Sequence, residues 1–155
     1  DRGEGFYLLD QLLTEGHRLT AFATDDAHFK VPDHFGGWVQ VKAPSLDPDA
    51  LLAALKAGHY YSSQGPVFHM IALDGDELTV ECSPVDTIVV SCGHSRSVGR
   101  TGRAIAGAQL DLGKLRKGWL LEKQSPWFRV TLIGDNNKRA WSNPFWLDDH
   151  PAPQA

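Results

Sequence analysis

The chain has 155 residues, 42% of them hydrophobic and 22% charged, which is the make-up of one globular domain or two small lobes and not of a disordered tail. Nineteen Asp and Glu against fifteen Lys and Arg leave a net charge of -4, so a phosphate-tracking nucleic-acid module is not expected. No apolar run reaches the length of a membrane span and no stretch has the build of a signal peptide, so no membrane partner is expected; the compartment stays open, with the cytoplasm slightly favoured.

The first element predicted is a helix over residues 5–16, from the apolar spacing of Phe6, Leu9, Leu12 and Leu13, with Gly16 as its stop. Residues 19–23 then read as a short buried strand that ends in Thr24-Asp25-Asp26-Ala27-His28. Helix, strand and a polar cluster at the strand's carboxyl end make an α/β signature, and ligands gather at such places. A loop with Pro32, Gly36 and Gly37 comes next, then a strand over 38–41. The next helix is capped by Asp47, carries Pro48 in its first turn, has Leu51, Leu52 and Leu55 as its apolar stripe, and ends at Gly58.

From residue 67 the pattern turns to strands. Residues 67–73 and 78–82 flank Asp74-Gly75-Asp76 as a hairpin, and further strands are predicted over 87–92, 119–122, 127–133 and 140–147, with a turn at 134–137. The fold expected is therefore α+β. Residues 1–65 form an α/β piece with too few strands to close a barrel or a doubly wound sheet, residues 66–148 an antiparallel, β-sandwich-like lobe, and residues 149–155 a tail. Two cysteines, Cys82 and Cys92, are too few for a disulfide framework and read as small buried hydrophobes, although a hairpin can bring them close.

Asp26-Ala27-His28 is the leading candidate for chemistry. On an extended backbone, residues two apart point the same way, so a carboxylate and an imidazole can face one divalent metal such as zinc, manganese or iron. As a bare pattern, Asp-x-His is equally compatible with an ordinary polar loop. Asp25 points the other way and suits a bond to the loop or the orienting of a ligand. His34 is within sequence reach of a metal but sits in a Pro/Gly loop. His17, His59, His69, His94 and His150 have no catalytic neighbours in the pattern. Gly99-Arg100-Thr101-Gly102-Arg103 shares only its composition with a phosphate loop and reads as a solvated basic loop, and Ser62-Ser63 have no evident base. Trp119, Trp127, Trp141 and Trp146, at strand spacing, read as core.

Taken in order, several segments resemble one family. Ala23-Thr24-Asp25-Asp26-Ala27-His28, after Glu15-Gly16-His17-Arg18, resembles the last metal motif of PHP-type (polymerase and histidinol phosphatase) metal-dependent phosphoesterases. Gly37-Trp38-Val39-Gln40-Val41, the run Ala53-Ala54-Leu55-Lys56-Ala57-Gly58-His59-Tyr60-Tyr61-Ser62-Ser63-Gln64-Gly65-Pro66 and the closing Arg139-Ala140-Trp141-Ser142-Asn143-Pro144-Phe145-Trp146-Leu147 resemble the segments downstream of that motif in a bacterial branch of the family. The resemblance implies the end of a distorted α/β barrel whose strand ends hold divalent metals. Such a site activates a water that attacks a small-molecule phosphate ester, or a related ester or amide. It implies Asp26 and His28 as metal ligands, with Asp26 also orienting the water. The family's amino-terminal His-x-His motif and its middle Glu and His ligands have no counterpart here. The chain opens on Asp1 and not on Met, and the expectation is the carboxyl-terminal part of a hydrolase, catalytically incomplete alone, with self-association through an exposed barrel edge. The competing expectation is a stand-alone β-sandwich-like binding or accessory module without catalysis.

Overall fold

The computed structural model describes residues 5–116 and 125–149. In chain order they form α1 (Phe6–Thr14), β1 (Trp38–Val41), α2 (Pro48–Lys56), β2 (Tyr60–Ser63), β3 (Phe68–Asp74), β4 (Glu77–Cys92), β5 (Arg96–Asp111), the four-residue α3 (Gly113–Arg116), β6 (Trp127–Ile133), a 3-10 turn (Asp135–Asn137), β7 (Arg139–Ser142) and β8 (Phe145–Trp146). The fold is mixed α/β and mostly strand. Its eight strands belong to one curled antiparallel sheet, ordered β1-β2-β7-β6-β4-β3, with β5 on β4 and β8 on β6. The sheet runs through the Gly65-Pro66 region, because β2 pairs with β7 at Ser62↔Trp141.

The two longer helices, α1 and α2, form for the reasons their sequences suggest. Asp47 sits in extended conformation ahead of α2, and its carboxylate accepts from the N–H groups of Asp49 and Ala50, both at 3.1 Å. A cap of this kind contributes about 1 kcal/mol. Gly16 ends the stretch after α1 at φ +96, a conformation that suits glycine. The predicted hairpin forms as β3 and β4, with Asp74 facing Glu77 across a two-residue loop in which Gly75 takes φ +57.

Three assignments in the strand region need correction. The separate strands expected at 78–82 and 87–92 are one, the 16-residue β4, bulged between Glu81 and Thr87. The expected basic loop at 99–103 lies inside the 16-residue β5, which pairs with β4. Its Gly and Ala content disguises it, yet the small residues have a steric cause. A Cβ at Gly99 would lie 2.5 Å from the Ile88 carbonyl oxygen, and one at Gly107 would lie 2.5 Å from that of Val80. The ribbon approaches β4 too closely at these points for any side chain. The strand expected over 140–147 is broken into β7 and β8 at Asn143-Pro144, since Pro offers no N–H to a ladder. The strand expected at 119–122, Trp119 and His150 lie outside the described residues, as does most of the tail.

The main core joins β4, β5, β6 and β7 through residues including Leu78, Val80, Ile88, Val90, Leu110, Val130 and Leu132. Cys82 and Cys92 belong to it as unpaired thiols, and burial raises the pKa of each. A second, smaller cluster of Leu13, Trp127 and Trp146 pins α1 to β6 and β8. Trp127, Trp141 and Trp146 are thus core residues, as their spacing suggests.

The ion pair that docks α1 matters for the site. Arg129, on β6 and buried, donates from Nε and Nη2 to the two carboxylate oxygens of Asp10, each at 2.8 Å. Its Nη1 donates to Thr131 Oγ1 at 2.9 Å, and its guanidinium lies over the Phe6 ring, 4.7 Å from the centroid. A bidentate fork of this kind fixes orientation as well as distance.

Candidate functional site

Residues 19–23, expected as a buried strand, join no ladder. Side chains replace the ladder: Ala21 N–H donates to Asn143 Oδ1 at 3.2 Å, Ala23 N–H donates to Ser62 Oγ at 2.9 Å, and Ser62 Oγ–H donates to the Ala21 carbonyl at 3.1 Å. Asn143 is itself anchored, its Nδ2 donating to the carbonyls of Gly58 and Tyr60. The segment therefore rides on the sheet one side chain away from β2. From Ala21 to His28 burial still alternates, with Phe22, Thr24, Asp26 and His28 exposed and the residues between them half-buried. The extended path assumed for Asp26-Ala27-His28 is interrupted, however, because Asp26 takes φ +53, in the left-handed region that Asp tolerates better than most side chains.

Two neighbouring carboxylates shape the loop around the candidate ligands. Asp25 Oδ2 accepts from Phe35 N–H at 2.6 Å and Oδ1 from Ala27 N–H at 3.3 Å, so Asp25 ties the loop, one of the two roles expected of it. Asp33 accepts from the N–H groups of His28 at 3.1 Å and Phe29 at 3.2 Å. Those bonds, His28 first, hold the Asp33 carboxyl below the usual carboxylate range. Asp33 Oδ2 also stands 3.5 Å from His28 Nδ1, and the far ring nitrogen, Nε2, makes no hydrogen bond with any described residue. The Asp26 carboxylate makes no hydrogen bond or ion pair with any described residue.

The other candidates separate from this pair. His34 is engaged with aromatic rings, stacked on Phe29 at 5.7 Å and edge-on to Phe35 at 5.2 Å. His17 faces the exposed Glu15 at 3.9 Å, His69 lies on β3, and His94 sits at φ +61 in the turn between β4 and β5. Among the described residues no group of three His, Cys, Asp or Glu side chains could hold a metal ion together.

Asp26 opens onto a cleft of roughly 920 Å3, whose walls include Phe22, Ser62, Gln64, Lys138 and Trp141. Gln64 joins two of those walls, since its Nε2 donates to the Gly36 carbonyl at 3.3 Å and its Oε1 accepts from Arg139 N–H at 3.2 Å. Gly37 allows the loop to lie this close, as a Cβ there would stand 3.3 Å from the Thr24 carbonyl oxygen. Phe6 stacks on Trp141 with centroids 5.2 Å apart, and Phe22 stacks on Tyr60 at 4.6 Å. Ser62, Gln64 and Asn143 are the positioning residues that pattern reading passes over. Their only signal is that all three lie within motifs that carry the family resemblance. Comparison with family models, curated proteins and solved structures finds no match to the chain.

Proposed function

We propose that the chain is the carboxyl-terminal part of a metal-dependent hydrolase of PHP type, contributing Asp26 and His28 as ligands at the end of a distorted α/β barrel. The observation that carries the reading is the state of those two side chains. Both are exposed on one short segment, Asp26 lines the cleft with its carboxylate unengaged among the described residues, and His28 has Asp33 beside Nδ1 and no described partner at Nε2. A histidine that binds metal through one ring nitrogen characteristically has a carboxylate or carbonyl at the other, which fixes ring and tautomer. The donor set, one carboxylate and one imidazole, suits zinc, manganese or iron.

A divalent metal there would supply a water of lowered pKa and a charge to hold the developing oxyanion of a phosphate ester, or of a related ester or amide. The chain's own part is positional. Asp33 orients the His28 ring, Ser62 and Asn143 hold the segment on the sheet, Asp25 ties the loop, and Asp26 accepts a proton or a hydrogen bond from water at the cleft. Two ligands are fewer than the three that catalytic sites usually draw from protein, so this chain alone does not complete the centre. A docking edge for the remaining ligands also accounts for an exposed apolar margin that includes Phe22, Phe29, Val31 and Phe35, which favours self-association of the isolated chain.

Equilibrium dialysis against Zn2+ with metal analysis tests this. The chain takes up zinc weakly, and Asp26→Ala and His28→Ala each abolish the uptake, while p-nitrophenyl phosphate is not turned over. Uptake unchanged in both variants overturns the reading, and turnover by this chain that His28→Ala removes overturns the incompleteness. A second reading, a binding or accessory module without catalysis, is favoured by one feature: the buried residues of the main core all fall within 78–140, apart from Asp26 and His28. That reading predicts no zinc uptake at either residue.

A further inference from the structure

The basic stretch at 99–103, which the sequence presents as a loop, lies on an outermost strand of the sheet. β5 pairs with β4, and no second ladder partner stands on its other side among the described residues. In an antiparallel strand every second residue turns its N–H and C=O to the same side, so the free side of β5 carries a row of backbone donors and acceptors. The row is held firm. Residues 87–92 of β4, which pair with residues 96–101, also pair with β6 on their other side, and the hydroxyls of Thr87 and Thr101 are hydrogen-bonded at 3.3 Å. A bulge interrupts the strand after Thr101: Thr101 faces Thr87 while Ile105 faces Val85, and Ala104 takes φ +50. The regular part of the edge is therefore 96–101. Its charge is of one sign. β5 carries Arg96, Arg100 and Arg103 and a single acid, Asp111, at its far end, in a chain whose net charge is -4. Arg100 and Arg103 are exposed and make no ion pair with any described residue. Alternation puts Arg96, Val98 and Arg100 on one face, where Val98 packs against the main core and Arg96 Nε donates to the Gly93 carbonyl at 3.4 Å.

We propose that residues 96–101 are a docking edge for an extended acidic peptide, which adds to β5 as a further strand and sets acidic side chains beside Arg96 and Arg100 and an apolar one beside Val98. Strand addition draws affinity from the peptide's main chain and specificity from its alternate side chains. A second copy of this chain is a poor occupant. Antiparallel pairing of β5 with itself, centred on Val98, sets Arg96 of one copy against Arg100 of the other, and like charges directly opposite are destabilising. A nucleic acid answers the arginines but has no backbone of alternating donors and acceptors to complete the row. Because residues 96–101 are already fixed on β4, docking has only the peptide to order. The inference draws on no residue of the Asp26 segment and stands independently of the hydrolase reading.

The test is titration of the 15N-labelled whole chain with a peptide of sequence Thr-Glu-Thr-Val-Thr-Glu-Thr, capped at both ends, read by amide shifts and by calorimetry. The amides of residues 96–101 shift together and saturate. Replacing both glutamates of the peptide by glutamine weakens binding about two- to thirtyfold, the range of two cross-strand charge pairs, and lysine in their place weakens it further. Arg100→Ala weakens the glutamate peptide about 1.5- to fivefold, the range of one such pair, and leaves the glutamine peptide unchanged. Arg100 is exposed, and circular dichroism confirms that the variant folds. Two isomeric peptides, methylated on the backbone nitrogens of the odd or of the even residues, separate strand pairing from plain charge attraction: one isomer loses binding and the other keeps it. Isomers that bind alike overturn the proposal, as does a glutamine peptide that binds as tightly as the glutamate one. Shifts centred outside β5, or a thymidine oligonucleotide that moves the same amides at lower concentration than the peptide, overturn it too.

Discussion

Substituting Asp10 by Ala is predicted to be among the most damaging single changes on the surface of α1. The Arg129 side chain is only 9% exposed, and Asp10, at 31%, is the partner that compensates its charge. Removing the carboxylate deletes two charge-assisted bonds of 2.8 Å and leaves the guanidinium with Thr131 Oγ1 and the face of Phe6. Breaking a sealed pair costs about 3–5 kcal/mol, and partial exposure of Asp10 admits water, so about 2–3 kcal/mol is expected here. For a chain of this size that lowers Tm by about 4–12 °C. Urea unfolding of the wild type, Asp10→Ala, Arg129→Met and the double variant provides the cycle. The double variant recovers much of the loss, because no charge remains buried without a partner. A cost below about 0.5 kcal/mol, the value of an ordinary exposed pair, refutes the reasoning. So does a double variant no more stable than Asp10→Ala.

Ionisation supplies two more tests. Burial raises the Cys82 and Cys92 pKa values, and at Cys92 it outweighs the attraction of Arg96. A raised folded pKa means that the contribution is intact below the unfolded value of about 8.5 and is lost as pH rises through the folded one. The urea midpoint of the wild type is therefore predicted to fall between about pH 8.5 and 10 more steeply than that of a Cys82→Ala/Cys92→Ala variant; parallel profiles contradict this. At Asp33 the sign reverses, because the backbone N–H groups of His28 and Phe29 lower its pKa. What it contributes is present above an unfolded value near ~3.9 and is lost as pH falls through the folded one. Amide exchange at His28 and Phe29, corrected for intrinsic rates, should speed up below pH ~4 and, in Asp33→Ala, already at neutral pH. Exchange indifferent to both changes would show that Asp33 does not hold the loop.

The elements legible in the sequence are those whose signal is local. Asp47, Pro48 and Gly58 bracket α2 by capping chemistry alone, and Gly75 marks the β3–β4 turn. What pattern reading misses depends on contacts distant in sequence. β5 looks like a loop because its glycines answer to carbonyls on β4, which no window over residues 96–111 contains. β2 is only four residues long and carries no strand signal of its own, so only its pairing with β1 and β7 makes it a strand. Residues 19–23 have strand composition yet form none, because Ser62 and Asn143 occupy the place of a ladder partner. At the site, Asp26 and His28 stand out by spacing, whereas Asp33 and Gln64 show their roles only when the loop closes. The left-handed turn at Asp26 leaves no mark in composition.

Asp26 and His28 are proposed above as two ligands of a metal centre. Paramagnetic broadening by substoichiometric Mn2+ reads it residue by residue in 15N- and 13C-labelled chain. The account predicts that the His28 imidazole and the Asp26 carboxyl carbon broaden first, ahead of His17, His69 and His94. It also predicts that His28→Ala releases the broadening at Asp26. Broadening spread evenly over the exposed histidines and carboxylates, or centred away from residues 24–28, contradicts it.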